Sequence, residues 1–313
     1  MNSEISKIIT EVEKAITGKQ DVIVKILTSI LANGHILLDD VPGVGKTTMA
    51  IAISCTLGLS FGRVQFTPDV LPSDITGFSM YNKETGALEY VPGAAVGVNL
   101  LLGDEINRTS SKTQSALLEA MEEGQITVDG TSHALNRPFI VIATQNNVGT
   151  AGTQLLPYAQ LDRFVVKLSI GYPDRASEKE VIRGRQMANP LESVESVIAA
   201  EDVIRMQGEV SQITVRDSII DYIARLAEQS RQHELLELGI SPRGSLFINK
   251  MAKARAYVAG RDFVIPEDVQ GVFADVCGHR VILSQLARGK KIAALDVLHD
   301  LLKVVDVPDG MMK

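Results

Sequence analysis

Only two cysteines, Cys55 and Cys277, occur in the 313 residues, and no C-x-x-C pair is present. Neither a disulfide framework nor a cysteine-ligated zinc site is supported, and this usage fits a reducing compartment. Long hydrophobic runs are also lacking. The longest uncharged run, from Pro138 to Leu161, is continuously apolar only from Phe139 to Ala143. Gln145, Asn146, Asn147, Gln154, Pro157 and Gln160 then interrupt it. A bilayer helix needs ~20 predominantly apolar residues, so no membrane span is expected. Met1-Asn2-Ser3-Glu4 is not a basic stretch leading into an apolar block. No signal peptide is therefore expected, and the cytoplasm is the simplest placement. Positive charge is in deficit, with 31 Lys and Arg against 38 Asp and Glu and a net charge of -7. A strongly basic nucleic-acid footprint is excluded. The five histidines, His35, His133, His233, His279 and His299, show no metal-ligand spacing. No internal repeat or low-complexity tract stands out.

What remains is the composition of an ordinary globular protein, 45% hydrophobic and 22% charged. At roughly 150 residues per domain, the length predicts about two domains with a sizeable core. Ile5, Ile8, Ile9, Val12 and Ile16 recur at helical spacing, and a second helical pattern runs over 21–31. The apolar run His35-Ile36-Leu37-Leu38 reads as a buried strand, followed by a glycine-rich loop and a helix-compatible stretch over 48–57. Further strands are predicted over 62–67, 98–102, 139–144 and 164–169. A helix carrying Leu117, Leu118 and Met121 lies between the second and third of these. Residues 125–135 alternate around Asp129-Gly130, a strong hairpin signal. Strands alternating with helices argue for a mainly parallel α/β sheet. Beyond Pro173 the patterns are mostly helical, over 177–187, 202–210, 216–236, 242–259, 266–284 and 293–304. A boundary is placed at 173–176.

The chemistry starts at Asp40-Val41-Pro42-Gly43-Val44-Gly45-Lys46-Thr47. It fits the phosphate-binding pattern G-x-x-x-x-G-K-[ST], with Asp40 at the first glycine position. Strand before and helix after supply the context that the pattern requires. Gly43 and Gly45 let backbone N–H groups converge on phosphate oxygens at a helix N-terminus. Lys46 is expected to reach the β- and γ-phosphates, and Thr47 to ligate Mg²⁺. Pro42, Gly43, Val44, Gly45, Lys46, Thr47 and Thr48 are the expected nucleotide contacts. The triplet Leu100-Leu101-Leu102 buries a strand that delivers Asp104 and Glu105 at its C-terminal end, where ligand sites of α/β sheets lie. Asp104 is the second metal-binding candidate, and Glu105 the group that polarises an attacking water. Asn146, after the strand over 139–144, is the candidate for positioning that water. Arg163 stands just before a strand. Arg243 follows Ser241, a suitable N-cap, and Pro242, suited to the first helical position. From there Arg243 is expected to reach a phosphate across the domain boundary. His279-Arg280 reads as the cap or packing of a helix, and the basic run 286–291 as a solvated loop.

With these residues in order, the chain resembles the MoxR family of AAA+ ATPases over nearly its whole length. The most telling stretches are Val64-Gln65-Phe66-Thr67-Pro68-Asp69-Val70-Leu71-Pro72-Ser73-Asp74-Ile75-Thr76-Gly77 and Asp104-Glu105-Ile106-Asn107-Arg108. Ala143-Thr144-Gln145-Asn146, Ala159-Gln160-Leu161-Asp162-Arg163-Phe164 and Ser241-Pro242-Arg243-Gly244 follow in family order. The resemblance implies an AAA+ P-loop core with a parallel sheet over 1–173, and a smaller all-helical lid domain over 174–313. It implies Walker A roles for Lys46 and Thr47 and Walker B roles for Asp104 and Glu105. Asn146 resembles sensor 1, Arg243 sensor 2, and Arg163 the arginine finger that acts on the neighbouring subunit's nucleotide. Gly18, Lys19 and Gln20 sit where AAA+ proteins hold adenine. Residues 81–95, within an insertion over about 79–97, resemble the helix-2 insertion. Residues 125–135, within about 124–137, resemble the hairpin before sensor 1. Three positions depart from the usual family sequence. Gly103 replaces an alanine, Thr109-Ser110-Ser111 an Ala-Pro-Pro turn, and Asn147 a proline.

The expectation is thus a Mg²⁺-dependent, ATP-hydrolysing remodelling machine, binding ATP and ADP and forming a homo-oligomer, by resemblance a hexameric ring. It would act on a client protein, with a separate von Willebrand factor A-domain protein as partner. A nucleic-acid motor is the alternative from another class. The acidic balance and a hairpin without lysine or arginine argue against it. An ATP-gated scaffold with negligible turnover is the third reading.

Overall fold

The computed structural model describes residues 2–146, 156–187 and 189–308. Helix α1 (Ser3–Glu13) opens where the Asn2 side chain accepts a hydrogen bond from the Glu4 N–H at 3.0 Å. Its Ile5, Ile8, Ile9 and Val12 face inward at the predicted spacing. There follow α2 (Gln20–Leu31), β1 (Ile36–Asp39), α3 (Lys46–Thr56), β2 (Phe61–Gln65) and the short α4 (Pro72–Thr76). The hairpin of β3 (Gly77–Asn82) and β4 (Ala87–Pro92) leads to β5 (Leu100–Asp104) and α5 (Ser111–Glu123). Then come β6 (Gln125–Val128), β7 (Thr131–Ala134), β8 (Ile140–Gln145), α6 (Tyr158–Leu161) and β9 (Val166–Leu168).

Five of these strands form one sheet in the order β2-β5-β8-β1-β9, with every pairing parallel. Strand alternation splits its side chains between two buried clusters. Leu37, Leu101, Val141 and Ala143 face one, and Ile36, Leu38, Leu100, Leu102, Ile140 and Ile142 the other. The predicted strand over 98–102 lies two residues further on, so Asp104 is itself the last strand residue. Residues 72–92 carry structure that the hydrophobic pattern did not show, because neither strand of the hairpin buries one face and Gly77 is its only buried residue. The Asp129-Gly130 turn has positive φ at both residues, as a two-residue hairpin requires. The two hairpins meet where Tyr90 and His133 stack with ring centroids 3.7 Å apart.

Beyond β9 the chain forms α7 (Arg175–Met187), α8 (Ala200–Gln212), α9 (Asp217–Gln232), β10 (Leu236–Leu238) and α10 (Pro242–Val258). It ends in α11 (Pro266–Cys277), β11 (Ile282–Leu283), α12 (Gln285–Gly289) and α13 (Ala294–Val304). The helical patterns over 216–236 and 266–284 stop earlier than expected, at Gln232 and Cys277. Leu236 instead pairs with Leu283 in a small antiparallel ladder. The N-terminal helices touch both parts of the chain. Asn2 N–H donates to the Val258 carbonyl at 3.0 Å, and Arg205 pairs with Glu4 at 3.0 Å. Among the described residues, no helix is long and apolar enough to cross a membrane.

Candidate nucleotide site

The parallel sheet brings three strand ends to one edge. Register places Asp39 beside Gln145, Gly103 beside Ala143, and Gln65 beside Asp104. The loop after β1 therefore lies next to the acidic end of β5 and the polar end of β8. Gly43 and Gly45 have φ of +85° and +94°. An added Cβ at Gly43 meets nothing within 4 Å, so the conformation of the loop, rather than crowding, requires glycine there. Gly45 is the N-cap of α3, which begins at Lys46.

Lys46 is buried to 9% exposure, and its ammonium donates to the Asp40 carbonyl at 2.8 Å and the Gln145 carbonyl at 3.4 Å. Burial pulls its pKa below the ordinary lysine value, while Asp40, Asp104, Asp39 and Glu105 oppose that pull. Asp40 explains the departure from the glycine pattern. One carboxylate oxygen accepts the Ser169 hydroxyl at 3.0 Å, and the other accepts the backbone N–H groups of Ile170 and Gly171. The side chain thus ties the loop to the exit of β9. Lys19 reaches the same exit, donating to the carbonyls of Ile170 at 2.6 Å and Tyr172 at 2.8 Å. Gly18 packs beside it, where an added Cβ would lie 2.1 Å from the Ser177 hydroxyl oxygen, and Gln20 opens α2.

At the end of β5 the Asp104 carboxylate accepts the Thr144 hydroxyl at 2.7 Å and is paired with Arg63 at 2.8 Å. Glu105 turns sharply away with φ of +58°, unusual for a residue with a side chain. Its N–H donates to the Thr144 hydroxyl oxygen at 2.9 Å, which holds the turn. The Glu105 carboxylate accepts from Arg108 at 2.7 Å, from Gln65 at 3.3 Å and from the Asn146 amide at 3.4 Å. The Asn146 Oδ1 is buried with no partner among the described residues. A free acceptor beside a carboxylate suits the orientation of a water. The Thr47 hydroxyl and the Asp104 carboxylate are hard oxygen donors of the kind Mg²⁺ takes.

Arg163 and Arg243 lie elsewhere. Both pair with Glu122 of α5, at 3.0 Å and 2.6 Å. The neighbouring Met121 carbonyl bonds to His35, just before β1. His35 in turn accepts the Val165 N–H on its backbone carbonyl at 2.8 Å. The two arginines thus stand at the N-terminal edge of the sheet. From His35 to Asp40 the strand climbs about 16 Å at ~3.3 Å per residue. That is beyond the reach of an arginine side chain to its own loop, so Arg243 is not brought together with Lys46.

Residues 35–166 match the ATPase family associated with various cellular activities, and residues 228–301 match the AAA lid domain. The chain is 47% identical over 304 residues to the uncharacterised protein YeaC of Bacillus subtilis, covering 97% of this chain and 95% of YeaC. It is 36% identical over 313 residues to Chaperone MoxR1 of Mycobacterium tuberculosis, covering 97% and 82% of the two chains. This chain belongs to the MoxR family of AAA+ ATPases. The crystal structure of a candidate ATPase from Cytophaga hutchinsonii superposes with a TM-score of 0.91 at 37% identity, over 98% of this chain and 95% of that one.

Two of the departures from the MoxR pattern have local causes. At Gly103 an added Cβ would sit 3.1 Å from the buried Phe66 ring. Ser110 caps α5, its hydroxyl accepting the Thr113 N–H at 3.3 Å. Asn147 lies outside the described residues. Sequence reasoning assigned no role to Arg63, Gln65, Thr144 or Glu122. Arg63 and Gln65 had a usable signal, two polar residues at strand period in β2, but only the parallel register shows that they face Asp104 and Glu105.

Proposed function

We propose that this MoxR-family protein hydrolyses ATP with Mg²⁺ at sites shared between adjacent subunits of a ring, hexameric by family resemblance, and uses the cycle to remodel a client protein. The division at 173–174 separates the nucleotide-binding part from the lid in this reading. The observation that carries it is the convergence of Arg163 and Arg243 on Glu122, at the sheet edge opposite Lys46. A phosphate-seeking pair that cannot reach its own loop serves a loop brought by another copy.

In each site the N–H groups of Gly43, Val44 and Gly45, with Lys46, hold phosphate, and Thr48 extends the contact into the helix. Pro42 stiffens the approach. Gly18, Lys19 and Gln20 border the adenine. Thr47 and Asp104 would hold Mg²⁺, which would neutralise phosphate charge as it develops. Glu105 draws the proton of the attacking water, and Asn146 orients that water through its free Oδ1. Arg163 and Arg243 approach from the next subunit, leave Glu122, and stabilise the charge that develops on the transferred group. The partner protein, a separate von Willebrand factor A-domain chain, and the cytoplasmic setting belong to the same reading.

The test is the ATPase rate per subunit against protein concentration with Mg²⁺. The rate is expected to rise steeply with concentration. Arg163→Ala is expected to lower kcat by on the order of 10³ or more. Mixing Arg163→Ala subunits with Glu105→Gln subunits is expected to restore part of the rate, because each lacks what the other provides. Unchanged hydrolysis by Arg163→Ala would end the shared-site reading.

A further inference from the structure

We infer that Arg280, acting through Asp162, is the positioning residue that sets Arg163 and Arg243 side by side. The inference rests on the reading that these two arginines act on a neighbour's nucleotide.

Arg280 is one of the largest fully buried side chains, with 1% exposure. Its guanidinium finds an oxygen for each of its five N–H groups. Nε donates to the Asp162 carboxylate at 2.9 Å. Its terminal nitrogens donate to the backbone carbonyls of Asp162, Phe164, Val165 and Val276. Three of those carbonyls belong to the turn that carries Arg163. Val276 lies in the last turn of α11. The turn is thus fastened from behind, which leaves the Arg163 side chain to face outward.

The same guanidinium organises the start of α10. It stacks over the Phe247 ring at 4.8 Å, one turn after Arg243. Gly244 lies against its stem, where an added Cβ would sit 3.2 Å from the Arg280 Cδ. The Ser241 hydroxyl caps α10 and stands 3.5 Å from both Asp162 carboxylate oxygens. One carboxylate therefore touches Arg280 and the cap of the helix that carries Arg243, and it adjoins Arg163 in sequence. A lysine at 280 keeps the charge but loses the planar fork that meets several carbonyls at once.

The experiment uses the full chain with Asp162→Asn, which keeps the side-chain shape, and Arg280→Lys. Each is assayed for kcat, KM for ATP and melting temperature, alone and in a background carrying both Arg163→Ala and Arg243→Ala. Alone, Asp162→Asn is expected to lower kcat by on the order of 10-fold or more, as a misplaced catalytic group does, with KM little changed. In the background lacking both arginines the same substitution is expected to leave kcat within about 2-fold, because effects routed through the same residues are not additive. A second readout uses mixtures in which Glu105→Gln subunits donate arginines to Arg163→Ala subunits. Adding Asp162→Asn to the donor is expected to abolish the rescue, and adding it to the recipient is expected to spare it. Equal losses in both backgrounds, or loss with either placement in the mixture, would overturn the inference and leave the shared site intact. A fully active Arg163→Ala protein would overturn both. If Arg280→Lys does not fold, the Asp162→Asn series decides alone.

Discussion

Acid is expected to weaken this fold through His35, and the window follows from its two hydrogen bonds. The Val141 backbone N–H can only donate, so the imidazole Nδ1 that it meets at 3.0 Å must accept. Nε2 then carries the proton and donates to the Met121 carbonyl at 3.0 Å. A second proton on Nδ1 would confront the Val141 N–H. Burial, only partly offset by the Met121 bond, takes the pKa down to about 4 from 6.5. The folded state thus favours the neutral ring. Its stabilising contribution is complete above pH 6.5 and is lost as pH falls from 6.5 towards 4, because the unfolded chain takes up the proton first. The full shift is worth about 2 kcal/mol between pH 7 and 5, and the partial exposure of the residue trims this to about 1–2 kcal/mol. The comparison is urea unfolding at pH 7 and pH 5 for the natural chain and His35→Gln, whose amide supplies one donor and one acceptor. The variant is expected to lose about 1–2 kcal/mol less on acidification. Equal pH dependence of the two proteins would refute the reasoning. Since Met121 adjoins Glu122, the same acidification is expected to loosen the anchor of the two arginines.

Arg63 holds the Asp104 carboxylate at 2.8 Å, in competition with a metal ion, and the pair is partly exposed. Arg63→Gln is therefore expected to reduce the Mg²⁺ concentration for half-maximal ATPase, and for Mn²⁺ binding by paramagnetic titration, by about 2–5-fold, whereas a raised requirement would show that Arg63 supports the metal site. Asp40→Gly restores the bare loop pattern but cuts the tie to Ile170 and Gly171. It is expected to keep ATP binding while lowering the melting temperature by a few degrees, and loss of ATP binding comparable to Lys46→Ala would refute a purely structural role for Asp40.

Much of this architecture was legible because local patterns and spatial neighbours coincide. The triplet Leu100-Leu101-Leu102 forecast a buried strand, and the carboxylates at its end could go nowhere but the ligand edge of a parallel sheet. The loop over 40–47 was legible for the same reason, as a strand, two glycines and a helix start within a few residues. What escaped was set by partners distant in sequence. Arg63 is 41 residues from Asp104, and Arg243 is 121 from Glu122. Helix spacing placed Arg243 at a helix start correctly, but it carries no information on which edge of the sheet that start faces. Arg280 looked like a helix cap, which it is through Val276. Its grip on the 162–165 backbone depends on a fold-level contact that periodicity does not encode. The exposed β3–β4 hairpin escaped because alternation marks a strand only where one face is buried.

One short strand joins the two chemical faces of the molecule. β9 is three residues long, Val166–Leu168. Immediately before it lie Arg163 and the carbonyls held by Arg280. Immediately after it lie Ser169, Ile170 and Gly171, all bonded to the Asp40 carboxylate. Lys19 grips the same exit, and Lys167 within the strand pairs with Asp39 at 3.3 Å. The phosphate loop after Asp40 is therefore tied to a strand about 10 Å long whose other end adjoins Arg163. Strands in a packed sheet move as rigid bodies rather than stretch. Asp40 in place of the usual glycine is the residue that attaches the loop to β9.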